Sequence, residues 1–230
     1  MVNKNIDTNV KSLAVIMDGN RRWARLKGIK DHEGHTEGYR TFLNFLGWVI
    51  EAGIPFLTVF AFSSENWRRS KKETDHLQHI IRELSLNERD VFVEKGIKAS
   101  MIGERGDFSK ETRDKINEME ESTKKGNILN LNIALSYGGR REIVSAASKW
   151  AQYGKVESVE DFCRFLQTKN TPDPDIVIRT GGERRLSNFL LWQTAYSELF
   201  FSDTFWPDFS RREFFEILSV FKERERRFGV

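Results

Sequence analysis

Apolar and polar positions alternate along the chain with two different periods. Leu13-Ala14-Val15-Ile16-Met17 is an unbroken apolar run that stops at Asp18-Gly19-Asn20. A short run of this kind between turn residues predicts a strand buried on both faces. Arg21 to Leu26 predicts a short helix. From Thr36 to Ala52, Tyr39, Phe42, Leu43, Leu46 and Ile50 recur at helical spacing before Gly53, which predicts a longer one. Phe56 to Phe62 predicts a second strand, ending in Ser63-Ser64-Glu65-Asn66. One long helix is expected over Glu73 to Glu94, with Gly96 as its stop. A third strand follows over Ile97 to Ile102, a helix from the Ser109 cap to Lys125, and a fourth strand over Ile128 to Leu135. Arg141 to Trp150 predicts a helix. Ile176-Val177-Ile178 predicts a fifth strand ending at Arg179-Thr180-Gly181-Gly182, and Arg211 to Arg224 an amphipathic helix.

Strands alternating with helices in this way imply right-handed crossovers. The expected class is α/β, a single domain with a mostly parallel central sheet flanked by helices. No internal repeat and no Pro/Gly/Ser linker divides it, so residues 1–230 read as one domain, with 1–11 as a disordered N-terminal tail. Charge adds one exclusion. The 230 residues carry 37 Lys+Arg against 34 Asp+Glu, a formal net charge of +3, which does not favour nucleic acid. Cys163 is the single cysteine, so an internal disulfide framework and a cysteine-based zinc site are excluded. The N-terminus, Met1 to Asp7, lacks the apolar run of a signal peptide. The longest apolar stretches fall far short of the roughly 20 residues that cross a bilayer. A cytoplasmic protein, at most peripheral to a membrane, is the expectation.

In an open parallel sheet, ligands bind outside the carboxyl ends of the strands. That rule singles out Asp18 to Arg22, Ser63 to Arg69 and Arg179 to Ser187. Together these loops hold Asp18, Gly19, Asn20, Arg21 and Arg22; Ser63, Ser64, Glu65, Asn66, Trp67 and Arg69; and Arg179, Arg184, Arg185, Leu186 and Ser187. Guanidinium forks and helix-start N–H groups are equipment for phosphate. A carboxylate in their midst would repel phosphate unless a hard cation joined them, and magnesium is typically held by one or two carboxylates plus substrate phosphates. A magnesium-bridged diphosphate site is therefore expected. The chain has no G-x-x-x-x-G-K-[ST], no G-x-S-x-G, and no G-x-G-x-x-G after the first strand. A P-loop hydrolase, a hydrolase triad and a dinucleotide fold are thus disfavoured.

Met17-Asp18-Gly19-Asn20-Arg21-Arg22-Trp23-Ala24, Glu33-Gly34-His35 and Phe62-Ser63-Ser64-Glu65-Asn66-Trp67 resemble the cis-prenyltransferases. So do Asp175 to Glu183 and Ser187-Asn188-Phe189-Leu190-Leu191-Trp192-Gln193. The likeness is nearest to bacterial undecaprenyl diphosphate synthases and runs from about Leu13 to the closing Arg-Arg-Phe-Gly. It implies repeated cis-condensation of isopentenyl diphosphate onto an allylic diphosphate such as farnesyl diphosphate. The implied product is a long polyprenyl diphosphate, undecaprenyl diphosphate for the cell-wall lipid carrier, delivered to the membrane. By the same resemblance Asp18 binds Mg2+ and assists diphosphate departure. Gly19, Asn20, Arg21, Arg22, Trp23 and His35 surround the allylic diphosphate. Arg179, Arg185, Leu186 and Ser187 form the isopentenyl diphosphate site, and Glu198 is a further magnesium ligand. Ser63, Ser64, Glu65, Trp67 and Arg69 fall where the family has its mobile substrate loop. Asn66 matches a position assigned as proton acceptor. A neutral amide is a very weak base, so orienting substrate or relaying the proton to diphosphate is the chemically sounder role. A homodimer is implied, formed around Ser197 to Trp206.

Two positions depart from the family pattern. Arg21 stands where many relatives have glycine, and Asp31 where an arginine usually contacts diphosphate. On that comparison Asp31→Arg is expected to tighten allylic substrate binding. Several neighbours are read more plainly: His32, His76 and His79 as surface or packing residues, Arg25 as a solvated helix face, Trp48, Trp150, Trp192 and Trp206 as core or interface. A growing isoprenoid requires an apolar tunnel between sheet and helices. Ala61, Leu77, Ile80, Ile81, Leu84 and Leu86 are candidate walls, though ordinary core explains them equally. Three other functions compete: a short-chain cis-prenyl diphosphate synthase, a non-catalytic family subunit, and a nucleic-acid-binding module. The presence of Asp18, Arg179 and Gly181-Gly182 weighs against the second.

Overall fold

The structure, a computed structural model, describes residues 9–68, 70–153 and 158–224. Six strands, β1 (Ser12–Ile16), β2 (Phe56–Ser63), β3 (Ile97–Ile102), β4 (Leu129–Tyr137), β5 (Ile176–Arg179) and β6 (Glu198–Phe201), form one sheet in the order β3-β4-β2-β1-β5-β6. Every pairing is parallel. Eight helices accompany it: α1 (Asn20–Leu26), α2 (Asp31–Glu51), α3 (Lys71–Asn87), α4 (Arg89–Glu94), α5 (Lys110–Thr123), α6 (Gly139–Tyr153), α7 (Val159–Cys163) and α8 (Arg211–Glu223). The α/β class and the parallel sheet are as the sequence predicts.

The strands lie where the apolar runs are because both of their faces are covered. All five residues of β1 are buried. Successive side chains point to opposite faces. Leu13 and Val15 join a core with Phe42, Phe45, Leu46 and Val49 of α2 and Phe214 and Leu218 of α8. Ala14 and Ile16 join a second core with Tyr137, Val177, Phe189 and Leu190. A smaller cluster under α6 and α7 takes in Phe162, Trp150 and Trp192. Trp206 is fully buried and donates its indole N–H to the Gly38 carbonyl at 2.7 Å, which bears out the packing role read for these tryptophans.

Four features differ from expectation. The helix expected from Thr36 begins at Asp31, because the Glu33 carboxylate accepts the Lys30 N–H at 2.8 Å and caps it. The helix expected over Glu73–Glu94 is two, α3 and α4, which part at Glu88, whose carboxylate accepts the Tyr39 hydroxyl at 3.0 Å. Strand β6 and helix α7 were not foreseen. At the N-terminus, residues 1–8 of the expected tail lie outside the described residues. Val10 packs into the core, and the Lys11 and Ser12 N–H groups both donate to the Asp175 carboxylate.

Strand order places the site. β1 sits between β2 and β5, so the chain departs from β1 in one direction and returns on its other side. The carboxyl ends of β1 and β5 thus flank the crevice where such sheets bind ligands. The β2–β4 register shifts around Phe62. Irregularities of this kind are common beside active sites, where they re-aim side chains.

Candidate functional site

Asp18, two residues past β1, meets Arg179, the last residue of β5. The Arg179 Nη2 donates to Asp18 Oδ2 at 2.8 Å. Arg179 is 4% exposed. Its Nη1 donates to the Ser187 hydroxyl at 2.7 Å and to the Arg185 carbonyl, while its Nε is buried without a partner. On the other Asp18 oxygen lies the Arg22 Nη2 at 3.2 Å. Arg22 reaches Glu183 at 3.5 Å, and Glu183 takes Arg185 at 2.5 Å. The result is an alternating row of charges, Arg179–Asp18–Arg22–Glu183–Arg185, with three guanidiniums to two carboxylates. A surplus of guanidinium is suited to a phosphate-bearing anion.

Local backbone chemistry fixes this row. The Thr180 side chain is fully buried. Its Oγ1 accepts the Asp18 N–H at 3.0 Å and donates to the Asp18 carbonyl at 2.7 Å. Gly181, at φ +85°, lies so close that a Cβ there would come within 2.8 Å of Arg22 Nη2 and 3.0 Å of the Asp18 backbone. Gly19, at φ +111°, packs just as closely on Phe205. Gly34 and Gly38 of α2 let Asn20 approach to distances no side chain would allow. The buried Glu142 carboxylate accepts from Gln193 and Tyr137 and from the Gln167 N–H, at 3.0, 2.5 and 2.8 Å. Burial, then Glu142, pushes the Tyr137 phenol far above its ordinary range.

A cavity of about 290 Å³ opens from this row into the space between the sheet and helices α2 and α3. At its charged end it is lined by Asp18, Asn20, His35, Ser63, Asn66, Arg179 and Ser187. Its remaining walls include Tyr39, Phe42, Ala61, Leu77, Ile80, Ile81, Leu84, Ile133 and Leu135. Ala61, Leu77, Ile80, Ile81 and Leu84 are the walls named from the sequence; the Leu86 side chain lies outside what the structure describes.

Other candidates fall elsewhere. Arg21 is turned to Asp31, with Nε to Oδ2 at 2.9 Å. Arg25 also grips Asp31, at 3.1 and 2.9 Å. Hydrogen bonds from Arg25, opposed by burial and reinforced by Arg21, hold the Asp31 carboxyl at about 2. An arginine at 31 would face two guanidiniums, so tighter binding by Asp31→Arg does not follow from this geometry. Arg25 is exposed, as the plain reading of a solvated helix face has it, and its ion pair with Asp31 lies on the surface. Trp23 packs under Lys27, whose ammonium lies 5.8 Å from its ring centre. Leu186 packs against the second core. Trp67 donates its indole N–H to Ser136 at 2.8 Å. Glu65 accepts from Ser63, Ser64 and Asn188 at 2.7, 3.1 and 2.9 Å. Burial pushes its carboxyl up, but these bonds and one from its own backbone outweigh burial and lower it. Arg69 lies outside the described residues.

Glu198 lies apart from Asp18 within the chain. It opens β6 level with Ile176, which pairs with Leu13. Asp18 is five residues further along the strand direction, roughly 16 Å at the rise of a strand, and two strands across. Glu198 pairs instead with Arg224 at 2.5 Å, so within one chain it does not share a cation with Asp18. Among the described residues no group of three His, Cys, Asp or Glu could hold a metal. One carboxylate beside phosphate-binding groups still fits a magnesium completed by substrate phosphates. Thr180, Glu183 and Asn188 carry the site's geometry without having been assigned roles. Thr180 and Glu183 flank the glycine pair next to Arg179, which is the signal that could have found them.

Residues 16–229 match the family described as "Putative undecaprenyl diphosphate synthase". An isoprenyl transferase of Aquifex pyrophilus is 44% identical over 218 residues, covering 94% of each chain. A tritrans,polycis-undecaprenyl-diphosphate synthase (geranylgeranyl-diphosphate specific) of Pyrococcus horikoshii is 46% identical over 230 aligned residues, 95% of this chain and 86% of its own. Among solved structures, lavandulyl diphosphate synthase from Lavandula x intermedia, in complex with dimethylallyl diphosphate, superposes with TM-score 0.93 at 31% identity. That match covers 97% of this chain and all of the other. A probable undecaprenyl diphosphate synthase from Campylobacter jejuni gives TM-score 0.84 at 35% identity, over 96% and 99% of the two chains. A family match that spans the charged row and the cavity alike leaves one assignment: the chain belongs to the cis-prenyltransferases, the isoprenyl transferase family of undecaprenyl diphosphate synthase, and is a prenyl-transferring enzyme.

Proposed function

We propose that the enzyme adds isopentenyl diphosphate repeatedly to an allylic diphosphate in cis, giving a long-chain polyprenyl diphosphate of undecaprenyl length. The observation that carries this is one cavity with a phosphate-binding end and an apolar body, the complement of a molecule with a diphosphate head and a hydrocarbon tail. Asp18, with substrate phosphates, would hold Mg2+, which when bound neutralises diphosphate charge and eases its departure. Arg22 and His35 bind the allylic diphosphate; Arg179, Arg185 and Ser187 bind isopentenyl diphosphate. The allylic C–O bond breaks and the isopentenyl double bond closes a new C–C bond. A proton then leaves the isopentenyl unit as the new double bond forms.

The Asn66 Oδ1 accepts the Ser63 N–H at 3.0 Å, so its amide presents an N–H donor to the substrate rather than a base. Asn66 orients a diphosphate oxygen, and that oxygen takes the proton. The wall from Phe42 to Leu84 receives the lengthening chain and keeps water from the allylic centre. Two copies of the chain associate through Ser197 to Trp206, and the product passes from the cytosol to the membrane. Among the described residues no helix is long and apolar enough to cross a membrane, in keeping with delivery rather than insertion.

The primer divides into two readings. Farnesyl diphosphate is the expectation from the sequence, and the geranylgeranyl-diphosphate specificity of the Pyrococcus horikoshii relative favours geranylgeranyl diphosphate as a second. Incubation with either primer, labelled isopentenyl diphosphate and Mg2+, with products sized by mass spectrometry, tests the proposal. A ladder of additions supports it, and the faster primer names the substrate. A stop after one or two additions replaces it with a short-chain synthase, and no product with any primer overturns it.

A further inference from the structure

Ser63, the last residue of β2, and Asn66, in the turn that follows, line the cavity, and the next residue, Trp67, ties that turn to the protein interior. The Trp67 indole N–H donates to Ser136 Oγ at 2.8 Å, and Ser136 Oγ donates to Asp107 Oδ2 at 2.6 Å. Arg141, in the first turn of α6, donates to the same Asp107 oxygen at 2.9 Å. Trp67 also packs edge-on against Phe62, with ring centres 4.8 Å apart, and against Phe108 at 5.4 Å. A serine hydroxyl has one proton. With that proton committed to Asp107, its lone pairs face the indole, so Asp107 sets the direction in which Ser136 accepts. Ser136 is fully buried and holds φ at +49°, a left-handed conformation that costs a residue other than glycine free energy and persists where the surroundings enforce it.

We propose that Ser136 and Asp107 are positioning residues for the enzyme, fixing the Ser63–Asn66 turn over the cavity through the Trp67 indole. This rests on the diphosphate-condensing function proposed above. Strain at Ser136 separates fold from function in the test. Ser136→Gly relieves the left-handed backbone but removes the acceptor. It should leave the thermal midpoint near that of the unmodified enzyme, strain relief offsetting the lost hydrogen bonds, while lowering kcat/KM by about tenfold. Ser136→Asn, which tolerates the same φ and offers an amide oxygen, should restore most of the loss. Trp67→Phe should lose a similar factor, and the double variant with Ser136→Gly should lose no more than either alone.

Amide hydrogen exchange, read without substrate, gives a measurement independent of turnover. Residues 63–67 should exchange faster in Ser136→Gly, with β4 unchanged. Unaltered exchange in the turn, an unaltered kcat/KM, or losses that multiply in the double variant would each overturn the proposal. Failure of the unmodified enzyme to condense diphosphates would instead count against the assigned function, leaving the exchange result to judge the buttress.

Discussion

Asp31 opens α2 as the shared acceptor of two arginines from α1, and replacing it tests how those helices are held. Its carboxylate takes three N–H bonds, one from Arg21 and two from Arg25. The side chains are 33%, 37% and 60% exposed for Asp31, Arg21 and Arg25, so each pair counts only as a screened surface interaction. Two such pairs together contribute about 1 kcal/mol. Asp31→Asn should therefore lower stability by about 1 kcal/mol. Asp31→Arg adds repulsion of about 1 kcal/mol at contact distance in a water-like dielectric, for a total of about 2 kcal/mol. With a urea slope of about 3 kcal/mol per molar, the unfolding midpoints should fall by about 0.3 M and 0.7 M.

The pH dependence follows from the carboxyl being lowered from 3.8 to about 2. A depressed folded-state pKa gives stability that is present above about 4 and lost as pH falls towards 2. The gap between the enzyme and Asp31→Asn should thus close over that window, and at pH 7 it should narrow in high salt. Urea unfolding followed by circular dichroism measures both. An Asp31→Arg midpoint equal to or above that of the unmodified enzyme would refute the reasoning.

Further outcomes follow from the site. Gly181→Ala puts a methyl group against Arg22 and the Asp18 backbone at a left-handed φ, so kcat/KM should fall by at least about tenfold; an unchanged value in steady-state kinetics would contradict that packing. Glu183→Gln frees Arg22 and Arg185 from a resident counter-ion. Isothermal titration should then show each diphosphate binding a few-fold tighter alone, and weaker binding would mean the carboxylate is itself needed by the ligand. Ala61→Leu narrows the cavity wall, so mass spectrometry should show shorter products, and a product distribution like that of the unmodified enzyme would exclude this cavity as the path of the chain.

Strands β1 to β5 are readable in the sequence, β1, β2 and β5 because burial on both faces makes most positions apolar, β3 and β4 because apolar residues stand at alternate positions along much of their length. β6 is not, since Glu198-Leu199-Phe200-Phe201 is a partly exposed edge strand of four residues and a tertiary partner, β5, defines it. The break between α3 and α4 carries no glycine or proline, and Tyr39, distant in sequence, meets the chain there. Asp18, Arg179 and Ser187 are legible as site residues because strand ends expose them to the crevice. The resemblance that names Glu198 as a magnesium ligand carries no register, and register sets Glu198 at the opposite end of β6 from the crevice. Arg21 sits beside Arg22 in sequence yet serves Asp31, because adjacent helical positions point about 100° apart.

The central claim is that Asp18 and its arginines form the diphosphate-binding, cation-dependent end of the cavity. Single-turnover condensation of isopentenyl diphosphate with the preferred primer, measured against Mg2+ concentration for the unmodified enzyme and Asp18→Ala, tests it most directly. The account predicts turnover that rises with Mg2+, is abolished by EDTA, and falls by at least about a thousandfold in Asp18→Ala. Asp18→Ala turning over at the unmodified rate, or turnover that persists in EDTA, would contradict it.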